Sequence, residues 1–327
     1  MAGVILVLLL VLPYLLPFSS SGTLTERQAA AASLGTAPTY VEAAGLDVHV
    51  ERVPAAEAVA DAGEVPLLVV LHGFGASTAT WRAMLPRLAE LGEVVAYDRP
   101  AFGFTERAAP DGPIDPYGTV GQVAVLAELI ETFRGEGSDR PVVLLGHSAG
   151  GALAAELALE RADLVDGLVL VAPAILTTGG TPGWLRPVLS FPPIDRWGPR
   201  LARVAASGAD RLLERSWHDP SQLTEEVRRR YRESRQVIGW EQGLWWLVRS
   251  SASFGVAERP EALELPVLLV TGDDDRVVPT EDSQQLADLV DGAQLVVLED
   301  TGHVPHEESP DAFVAAVTER WPLAERG

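Results

Sequence analysis

The chain contains a series of short apolar runs, each too short to form a helix of ordinary length. Such runs, bounded by turn residues, are typical of strands buried on both faces, as in a parallel sheet. Longer segments with helical periodicity lie between them, and this alternation predicts an α/β fold with a doubly wound, mostly parallel sheet. The predicted strands are 67–71, 94–97, 142–145, 168–171, 267–270 and 295–298, preceded by an alternating strand at 46–53; the predicted helices are 80–91, 120–133, 150–161, 283–289 and 311–321.

The composition limits the chemistry that the chain can carry. It has 327 residues, of which 47% are hydrophobic, so a large core can form and disorder is excluded. The absence of cysteine removes disulfides, thiol nucleophiles and thiolate metal sites. A formal net charge of −21 argues against nucleic acid as a partner, because phosphate binding needs a cationic surface. All 25 basic residues are arginine, which excludes Schiff-base and P-loop chemistry, since both need lysine.

The N-terminus is a separate apolar segment. Residues 4–18 are nearly all valine, leucine and isoleucine, interrupted by two prolines and a tyrosine. The run is shorter than the roughly 20 residues of a comfortable membrane span and fits a signal-peptide core, although it lacks a basic n-region. We predict that residues 1–22 are a signal peptide or a short membrane anchor, with a buried core helix as the alternative, and that the protein is membrane-anchored or secreted. Residues 23–45 are predicted to be a linker.

One interval interrupts the strand–helix rhythm. Residues 174–262 contain no strand-like run, yet they hold six of the eight tryptophans and 13 of the 25 arginines. The interval carries a charge of about +3, whereas the remainder carries about −24. This shift in composition predicts an inserted, mostly helical cap between two core segments, 46–173 and 263–327.

The motif Gly146-His147-Ser148-Ala149-Gly150 directly follows a predicted strand and directly precedes a predicted helix. This strand–turn–helix context is the one that a G-x-S-x-G nucleophile motif requires. The turn is so tight that side chains at positions 146 and 150 would collide with neighbouring elements. Ser148 is therefore the candidate nucleophile, and the Ala149 N–H at the helix N-terminus is a candidate oxyanion donor.

The segment His72-Gly73-Phe74-Gly75 follows another predicted strand. The chain must turn sharply there beneath the nucleophile, so the Phe74 N–H is the second candidate oxyanion donor. We interpret His72 as a structural residue that braces this loop rather than as a catalytic base.

A serine nucleophile needs a base, and the base needs an orienting acid. Three consecutive aspartates, 273–275, follow one late predicted strand, and His303 and His306 follow the next. Both sets come after the carboxyl ends of strands, where open α/β sheets bind their ligands. The order serine, aspartate, histidine is the one expected of this kind of fold, although it does not select one residue from each set.

Together these motifs resemble those of serine hydrolases of the alpha/beta hydrolase-1 type, over about residues 46–321. The resemblance implies an α/β-hydrolase fold in which a helical cap is inserted between the nucleophile half and the acid half. The motifs that carry it are HGFG at 72–75, DRPAFG at 98–103, GHSAG at 146–150, GDDDRVVP at 272–279 and GH at 302–303.

The resemblance also implies roles for individual residues. The family acid stands three residues after the glycine of a G-x-x-D-x-x-x-P pattern, which selects Asp275, and the family base falls on His303 after Gly302. The implied triad is thus Ser148, Asp275 and His303, with His306 left to packing or the rim. Similar proteins that open epoxides or displace halide carry aspartate at the nucleophile position, so neither activity is expected here. The turn at 98–103 is expected to be structural, with Arg99 bracing loops.

The tryptophans of the cap suggest a wide apolar pocket over Ser148. We predict that Trp184, Trp245 and Trp246, together with His147, contact the substrate; the alternative is that the tryptophans hold the cap helices together. Arg228 to Arg232 is expected to form an exposed basic helix face, partly paired with Glu225 and Glu226 at i,i+4 spacing. A sharper hypothesis is that this basic cap faces an anionic membrane surface beside the N-terminal segment.

The leading prediction is a carboxylic-ester hydrolase that acts on a small hydrophobic ester or acyl substrate. No metal-ligand spacing and no nucleotide motif occurs, so no metal or cofactor is predicted. The alternatives are hydrolysis of a C–C bond in a vinylogous diketone, a cofactor-free perhydrolase side activity, and a ligand-binding receptor or scaffold with little turnover. Acyl chain length, leaving group, oligomeric state and cleavage of residues 1–22 stay open from the sequence.

Overall fold

A computed structural model describes residues 11–60, 65–177 and 180–323. Within this part of the chain one mixed sheet forms the centre of the molecule. Its strands are β1 (Thr39–Ala43), β2 (Leu46–Val53), β3 (Leu67–Leu71), β4 (Glu93–Tyr97), β5 (Val142–His147), β6 (Gly167–Val171), β7 (Val267–Gly272) and β8 (Gln294–Leu298). The strand order is β1-β2-β4-β3-β5-β6-β7-β8. β2 pairs antiparallel with β1 and β4, and the other neighbouring strands pair in parallel.

Helices cover both faces of the sheet and build the cap. After a helical stretch at 11–15, the α-helices are α1 (Glu26–Leu34), α2 (Glu57–Ala60), α3 (Leu85–Leu88), α4 (Thr119–Arg134), α5 (Ala149–Glu160), α6 (Arg186–Leu189), α7 (Pro192–Ala206), α8 (Ala209–Ser216), α9 (Glu225–Glu233), α10 (Trp240–Ser250), α11 (Thr280–Leu289), α12 (Pro305–Glu308) and α13 (Pro310–Glu319). Short 3₁₀ turns lie at Thr78–Thr80, Pro220–Gln222, Ser234–Gln236, Gly255–Ala257 and Pro260–Ala262. The predicted fold class is confirmed, and all seven predicted strands are present.

The core consists of two apolar layers, one on each face of the sheet. In β3, Leu67 and Val69 face the layer beneath α4 and α5, whereas Leu68 and Val70 face the layer that contains Trp81. Strands β3 to β7 are buried along their whole length. Burial on both faces explains why these strands are continuous apolar runs rather than alternating ones.

The predicted linker at 23–45 is wrong, because it contains both α1 and β1. Thr25 and Gln28 form a capping box that starts α1, and Gly35 ends it in the left-handed region with φ 70°. β1 pairs with β2 in a register that places Thr39 opposite Val50. The T-x-x-Q capping signal was present in the sequence, but the alanine-rich composition concealed it.

The predicted helix at 80–91 is also wrong. The structure has only a 3₁₀ turn that ends at Thr80, where this interval begins, and the four residues of α3 within it. Pro86 lies at the start of α3. A longer helix would place this proline in its interior, where proline removes a hydrogen bond and clashes with the preceding turn.

The cap is built by α6 to α10, between β6 and β7. α7 and α10 pack so closely that a Cβ added at Gly198 would lie 2.1 Å from the Trp245 ring. The small residue at this crossing therefore sets the distance between the two helices. No strand lies among the described residues of this insertion.

The N-terminal segment lies against the cap in its described part. Residues 11–15 are helical, and Leu15 is 70% exposed, so this part is not a buried core helix. Residues 1–10 of the predicted signal peptide or anchor lie outside the described residues. Among the helices that the structure does describe, none has the length and apolar character needed to cross a membrane.

Candidate active site

Ser148 occupies a strained turn between β5 and α5. Its backbone has φ 52° and ψ −120°, a conformation that costs a non-glycine residue on the order of 1–3 kcal/mol. The Ser148 N–H donates to the Val171 carbonyl at 2.9 Å, which holds the turn on the neighbouring strand. A Cβ at Gly146 would lie 2.6 Å from the Gly150 carbonyl oxygen, and one at Gly150 would lie 2.5 Å from the His72 carbonyl oxygen. The two glycines are thus required by space, as the sequence predicts.

His303 and Asp275 form a buried pair beside this turn. His303 Nδ1 donates to Asp275 Oδ2 at 2.7 Å, and both side chains are almost fully buried. The other carboxylate oxygen accepts the N–H groups of Val277 and Val278 at 2.8 and 2.9 Å. Because Nδ1 is used in this bond, Nε2 is the ring nitrogen that is left to act as a base.

The two neighbouring aspartates have other partners. Asp273 accepts a hydrogen bond from the Thr301 N–H at 3.1 Å. Asp274 pairs with Arg276 and with His218. Of the three consecutive aspartates, Asp275 is the one that contacts His303.

Ser148 and His303 border the same cavity of about 140 Å³. Among the hydrogen bonds of the described residues, none joins Ser148 Oγ directly to His303 Nε2. Such bonds between candidate nucleophile and base are often long without substrate and tighten when it binds. The structure therefore brings Ser148, His303 and Asp275 into one place at the carboxyl ends of β5, β7 and the loop after β8.

The amides of Phe74 and Ala149 are free to receive an oxyanion. Within the described part of the chain, neither N–H donates a hydrogen bond to another group. Phe74 and Ser148 line common cavities, and Ala149 joins them in one of these. Space beneath this loop is tight, because a Cβ at Gly73 would lie 2.9 Å from His147 Nδ1 and 3.2 Å from the Ser148 Cβ.

His72 braces the loop that carries Phe74. The Arg99 N–H donates to His72 Nε2 at 3.0 Å, so the proton is on Nδ1, which donates to the Gly73 carbonyl at 2.7 Å. Burial, together with the nearby Arg99 guanidinium, lowers the pKa of His72 to about 4. His72 is therefore neutral and acts as a structural bridge, as the sequence predicts.

Arg99 ties the same loop to α4. Its guanidinium donates to the His72 carbonyl at 3.2 Å and to Gln122 Oε1 at 2.6 Å. Asp98 accepts from His49 and from the amides of Thr78 and Phe104. The turn at 98–103 thus has the structural role that we expected.

His147 lies directly under the candidate base. Its Nε2 donates to the His303 carbonyl at 2.9 Å, and the two rings are 4.8 Å apart. Burial, with His306 and His303 close by, holds the pKa of His147 well below its ordinary value. His306 is buried and stacked on Trp81 at 4.1 Å, in agreement with a packing role.

Two larger cavities adjoin the small one. One of about 450 Å³ lies beneath the cap and shares Phe74, Leu212, Tyr231 and other residues with it. The other, of about 470 Å³, also borders Ser148 and runs toward α10 and the segment after it. The candidate nucleophile therefore stands where two arms of a branched cleft meet.

The predicted substrate contacts divide into two groups. His147 borders the small cavity, and Trp245 borders the 450 Å³ cavity with its indole N–H bonded to Asp195 at 2.7 Å. Trp246 instead packs on Tyr117 at 5.1 Å, and Trp184 is 75% exposed. Neither Trp246 nor Trp184 borders the described cavities around Ser148, so for these two residues the prediction is corrected.

The sequence interpretation missed Tyr231 and Arg235, which border both the small cavity and the 450 Å³ cavity. We expected Tyr231 on an exposed basic face, but its hydroxyl donates to Glu307 and its ring lies in the apolar cluster around Trp217. A tyrosine within a run of arginines on an amphipathic helix was the available signal.

Arg229 pairs with Glu226 and Glu233 rather than with Glu225, whereas the expected pair of Arg230 with Glu226 is present.

The cap also holds the loop that carries the candidate base. The His303 N–H donates to the Ser216 carbonyl at the end of α8, at 2.7 Å. Glu308 accepts from the amides of Gly302, His218 and Asp219, and so joins this loop to the cap. Hydrogen bonds therefore connect the cap to the loop that carries His303, the candidate base.

The chain is similar to known hydrolases. The 2-hydroxy-6-oxo-6-(2'-aminophenyl)hexa-2,4-dienoic acid hydrolase of Metapseudomonas resinovorans is 26% identical over 260 residues, covering 78% of this chain and 84% of the relative. The pimeloyl-(acyl-carrier protein) methyl ester esterase of Aeromonas hydrophila is 27% identical over 262 residues, covering 78% of this chain and 95% of the relative. A solved structure of the meta-cleavage product hydrolase from Pseudomonas fluorescens is 26% identical with a TM-score of 0.64, covering 88% of this chain and 98% of that one.

The model of the protein family described as "Alpha/beta hydrolase family" matches residues 68–316, which is most of the chain. The chain belongs to the alpha/beta hydrolase family.

Proposed function

We propose that this hydrolase cleaves carboxylic esters of hydrophobic acyl groups through a serine nucleophile. The observation that carries the proposal is the meeting of Ser148 and the His303–Asp275 pair at one small cavity. The unused amides of Phe74 and Ala149 beside that cavity add the donors that a tetrahedral intermediate needs.

The proposed reaction has two halves. His303 Nε2 takes the proton of Ser148 Oγ as the oxygen attacks the ester carbonyl carbon, and Asp275 stabilises the imidazolium that forms. The Phe74 and Ala149 amides stabilise the oxyanion by about 2.7–4 kcal/mol per donor. His303 then gives its proton to the leaving alkoxide, and water attacks the acyl-enzyme by the same route in reverse.

The shape of the cleft supports a hydrophobic substrate. The 450 Å³ arm is lined mainly by apolar side chains of α7, α8 and α10, with Leu244 and Trp245 among them. An acyl or aromatic group placed there would be removed from water, which stabilises binding by about 25 cal/mol per Å² of apolar area. The second arm, which also borders Ser148, leaves room for a leaving group.

Hydrolysis of a C–C bond is the second candidate. It is favoured by the similarity to a hydrolase of a 2-hydroxy-6-oxo-dienoic acid and to a solved meta-cleavage product hydrolase. The same three residues serve both reactions in this proposal, so the triad does not discriminate between them. An assay with both kinds of substrate does discriminate between the two reactions.

The test measures initial rates on p-nitrophenyl esters of graded acyl length and on a 2-hydroxy-6-oxo-dienoate. We expect ester turnover by the wild type and a loss of at least about 10,000-fold in Ser148→Ala, because the nucleophile is removed. Ester rates that are equal in both proteins would refute the serine esterase proposal. Dienoate cleavage that exceeds ester cleavage and disappears in the same variant would favour the C–C reaction. Tight ligand binding without turnover of either substrate would favour a receptor.

A further inference from the structure

The mouth of the 450 Å³ cavity is an exposed apolar surface. Leu201, Leu212 and Val248 line this cavity and are 52%, 45% and 36% exposed. Val204, one helical turn beyond Leu201 on α7, is 71% exposed. A group of apolar side chains in water at the entrance to a cleft marks an interaction surface. We call Leu201, Val204, Leu212 and Val248 the apolar rim.

The N-terminal segment is fastened to the adjoining side of α7. Arg200 donates to the carbonyls of Leu16 and Pro17 at 2.9 and 3.0 Å, and Arg203 donates to the Ser19 carbonyl at 2.7 Å. The Arg196 guanidinium lies 4.4 Å from the centre of the Tyr14 ring. On one helix, the stripe that holds the segment is therefore next to the stripe that carries Leu201 and Val204.

A buried carboxylate secures the end of this segment. Glu241 is fully buried in α10 and accepts from the Ser20 hydroxyl at 2.7 Å and from the amide and hydroxyl of Ser21 at 2.8 and 2.7 Å. Arg203 completes its environment at 2.7 Å. In the folded chain Ser20 and Ser21 are thus tied to α10 through Glu241.

Exposed apolar side chains continue along the segment itself. Val11, Tyr14, Leu15 and Leu16 are 46%, 49%, 70% and 44% exposed. The sequence before Val11, outside the described residues, reads MAGVILVLLL. Apolar surface therefore extends from the cavity mouth to the N-terminal segment.

The charges of the cap show which face can meet an anionic surface. The arginines of α9 are neutralised: Arg228 by Glu214, Arg229 by Glu226 and Glu233, Arg230 by Glu226, and Arg232 by Asp210 and Glu225. By contrast, Arg196 and Arg200 on α7 have no ion pair with an acid in the described part of the chain; they contact aromatic rings and carbonyl groups. Arg196 and Arg200 therefore give α7 positive charge that no acid neutralises among the described residues, whereas the arginines of α9 are paired.

We propose that the apolar rim, Arg196, Arg200 and the N-terminal segment together form a surface that rests on an anionic lipid bilayer. The apolar side chains enter the boundary between headgroups and acyl chains, and the two guanidinium groups meet lipid phosphates. The cavity mouth then opens into the membrane, and an ester with a long acyl chain reaches Ser148 without crossing water. This last statement about the substrate rests on the proposed esterase function; the docking of the surface does not.

The absence of cysteine makes a direct test simple, because one introduced cysteine can be labelled alone. Val204→Cys in the full chain is labelled with an environment-sensitive fluorophore such as NBD. Val120→Cys is the matched control, since Val120 is also 71% exposed but lies on α4 of the core. With phosphatidylglycerol vesicles we expect emission at position 204 to rise at least about twofold and emission at position 120 to stay unchanged, because a bilayer-seated face excludes water.

Two results would overturn the proposal. One is vesicle-bound protein in which position 204 shows no change or changes no more than position 120. The other is a rise at position 204 that needs no vesicles and grows with protein concentration, which would indicate a second copy of the chain on this face. Neither readout requires turnover, so failure of the esterase proposal would leave this test unaffected.

A second measurement addresses the charge. In Arg196→Gln/Arg200→Gln we expect partition onto phosphatidylglycerol vesicles to fall roughly 10-fold, with partition onto phosphatidylcholine unchanged. The control is Arg228→Gln/Arg232→Gln on the ion-paired helix α9, which should retain wild-type partition. Equal losses in the two double variants would contradict the assignment of the membrane surface to α7.

Discussion

The carboxyl edge of the sheet and the cap meet at Ser148, and they differ in how the candidate residues are held. At the sheet edge, backbone amides and carbonyls fix each group: Ser148 bonds to Val171, and Asp275 accepts two amides. In the cap, the cavity wall consists of helix faces whose side chains are set by packing, as where Trp245 lies against Gly198. Backbone constraints leave little freedom at the sheet edge, whereas a packed helix face accepts many side chains of similar volume.

The two regions are nevertheless connected. Ser216 of the cap accepts the His303 N–H, and Glu308 bonds to amides on both sides of the junction. If the sheet edge carries out the chemistry and the cap selects the substrate, substitutions at the sheet edge should lower the rates of hydrolysis for all esters. Substitutions in the cap should then lower the rates for some acyl lengths and not for others. The following predictions test that difference.

The largest loss of kcat is expected when Asp275, the acid of the candidate triad, is substituted. Asp275→Asn should lower kcat by about 10,000-fold for every ester, because an amide cannot hold the required imidazole tautomer or stabilise its cation. Asp273→Asn is the matched control, since among the described residues the Asp273 carboxylate bonds only to the Thr301 amide, and the variant should stay within about threefold of the wild type. Steady-state kinetics on two acyl lengths decide the question. Equal losses in both variants would disprove the choice of Asp275.

A smaller loss of kcat, equal for all acyl lengths, is expected from a substitution in the loop beneath Ser148. In Gly73→Ala the new methyl group would lie 2.9 Å from His147 Nδ1, so the loop that presents the Phe74 amide must move. We expect kcat to fall roughly 100-fold at all acyl lengths, as for loss of one oxyanion donor. Gly183→Ala provides the control, because an added Cβ there meets nothing within 4 Å. Retention of wild-type kcat in Gly73→Ala would show that the loop does not position an oxyanion donor.

The same difference explains what could be predicted from the sequence. The turn at 146–150 has a fixed pattern of glycines because added side chains would strike backbone atoms, so Ser148 was identifiable from sequence alone. Choosing Asp275 from three consecutive aspartates required the family resemblance, since the residues themselves do not encode which carboxylate reaches His303. No such steric rule identifies cavity-lining residues, and Trp184, expected at the substrate, is instead in solvent.

The early part of the fold was missed for a related reason. α1 and β1 are short and half-exposed, so they lack the apolar periodicity that marked the other elements. β1 forms the antiparallel outer edge of the sheet, and its pairing depends on β2 rather than on its own sequence. Elements at the edge of a sheet are less strongly encoded than those at its centre.

A selective effect is expected in the cap. Leu212 borders both the small cavity and the 450 Å³ cavity and is partly exposed, so Leu212→Phe can fold while filling the passage between them. We expect kcat/KM for long acyl esters to fall roughly 10-fold and that for acetate esters to change little, in the range that pocket contacts of this size provide. Leu289→Phe on α11, where Leu289 is 40% exposed, is the control. Equal losses for both ester lengths would contradict a selective role for the cap.

The smallest expected effect is a change in stability with pH, and it comes from the contact between the cap and the loop that carries His303. Tyr231 of α9 donates to Glu307 of α12, and burial raises the pKa of Glu307 from 4.5 to about 7, against the opposing effects of the Tyr231 hydrogen bond and the Arg230 charge. Between these two pH values the folded chain binds more protons than the unfolded chain. The free energy of unfolding contributed by Glu307 must therefore be fully present below pH 4.5 and must decrease as the pH rises to about 7.

Glu307→Gln keeps the shape and the acceptor but removes the titration. Thermal unfolding of both proteins across this pH range should show the wild type losing stability relative to the variant as the pH rises. His72, His147 and His306 also titrate with depressed pKa, but they are present in both proteins and cancel in the difference. Parallel curves would mean that Glu307 has the same pKa in the folded and unfolded chains. The contact between Tyr231 and Glu307 would then connect the cap and the base loop equally across this pH range.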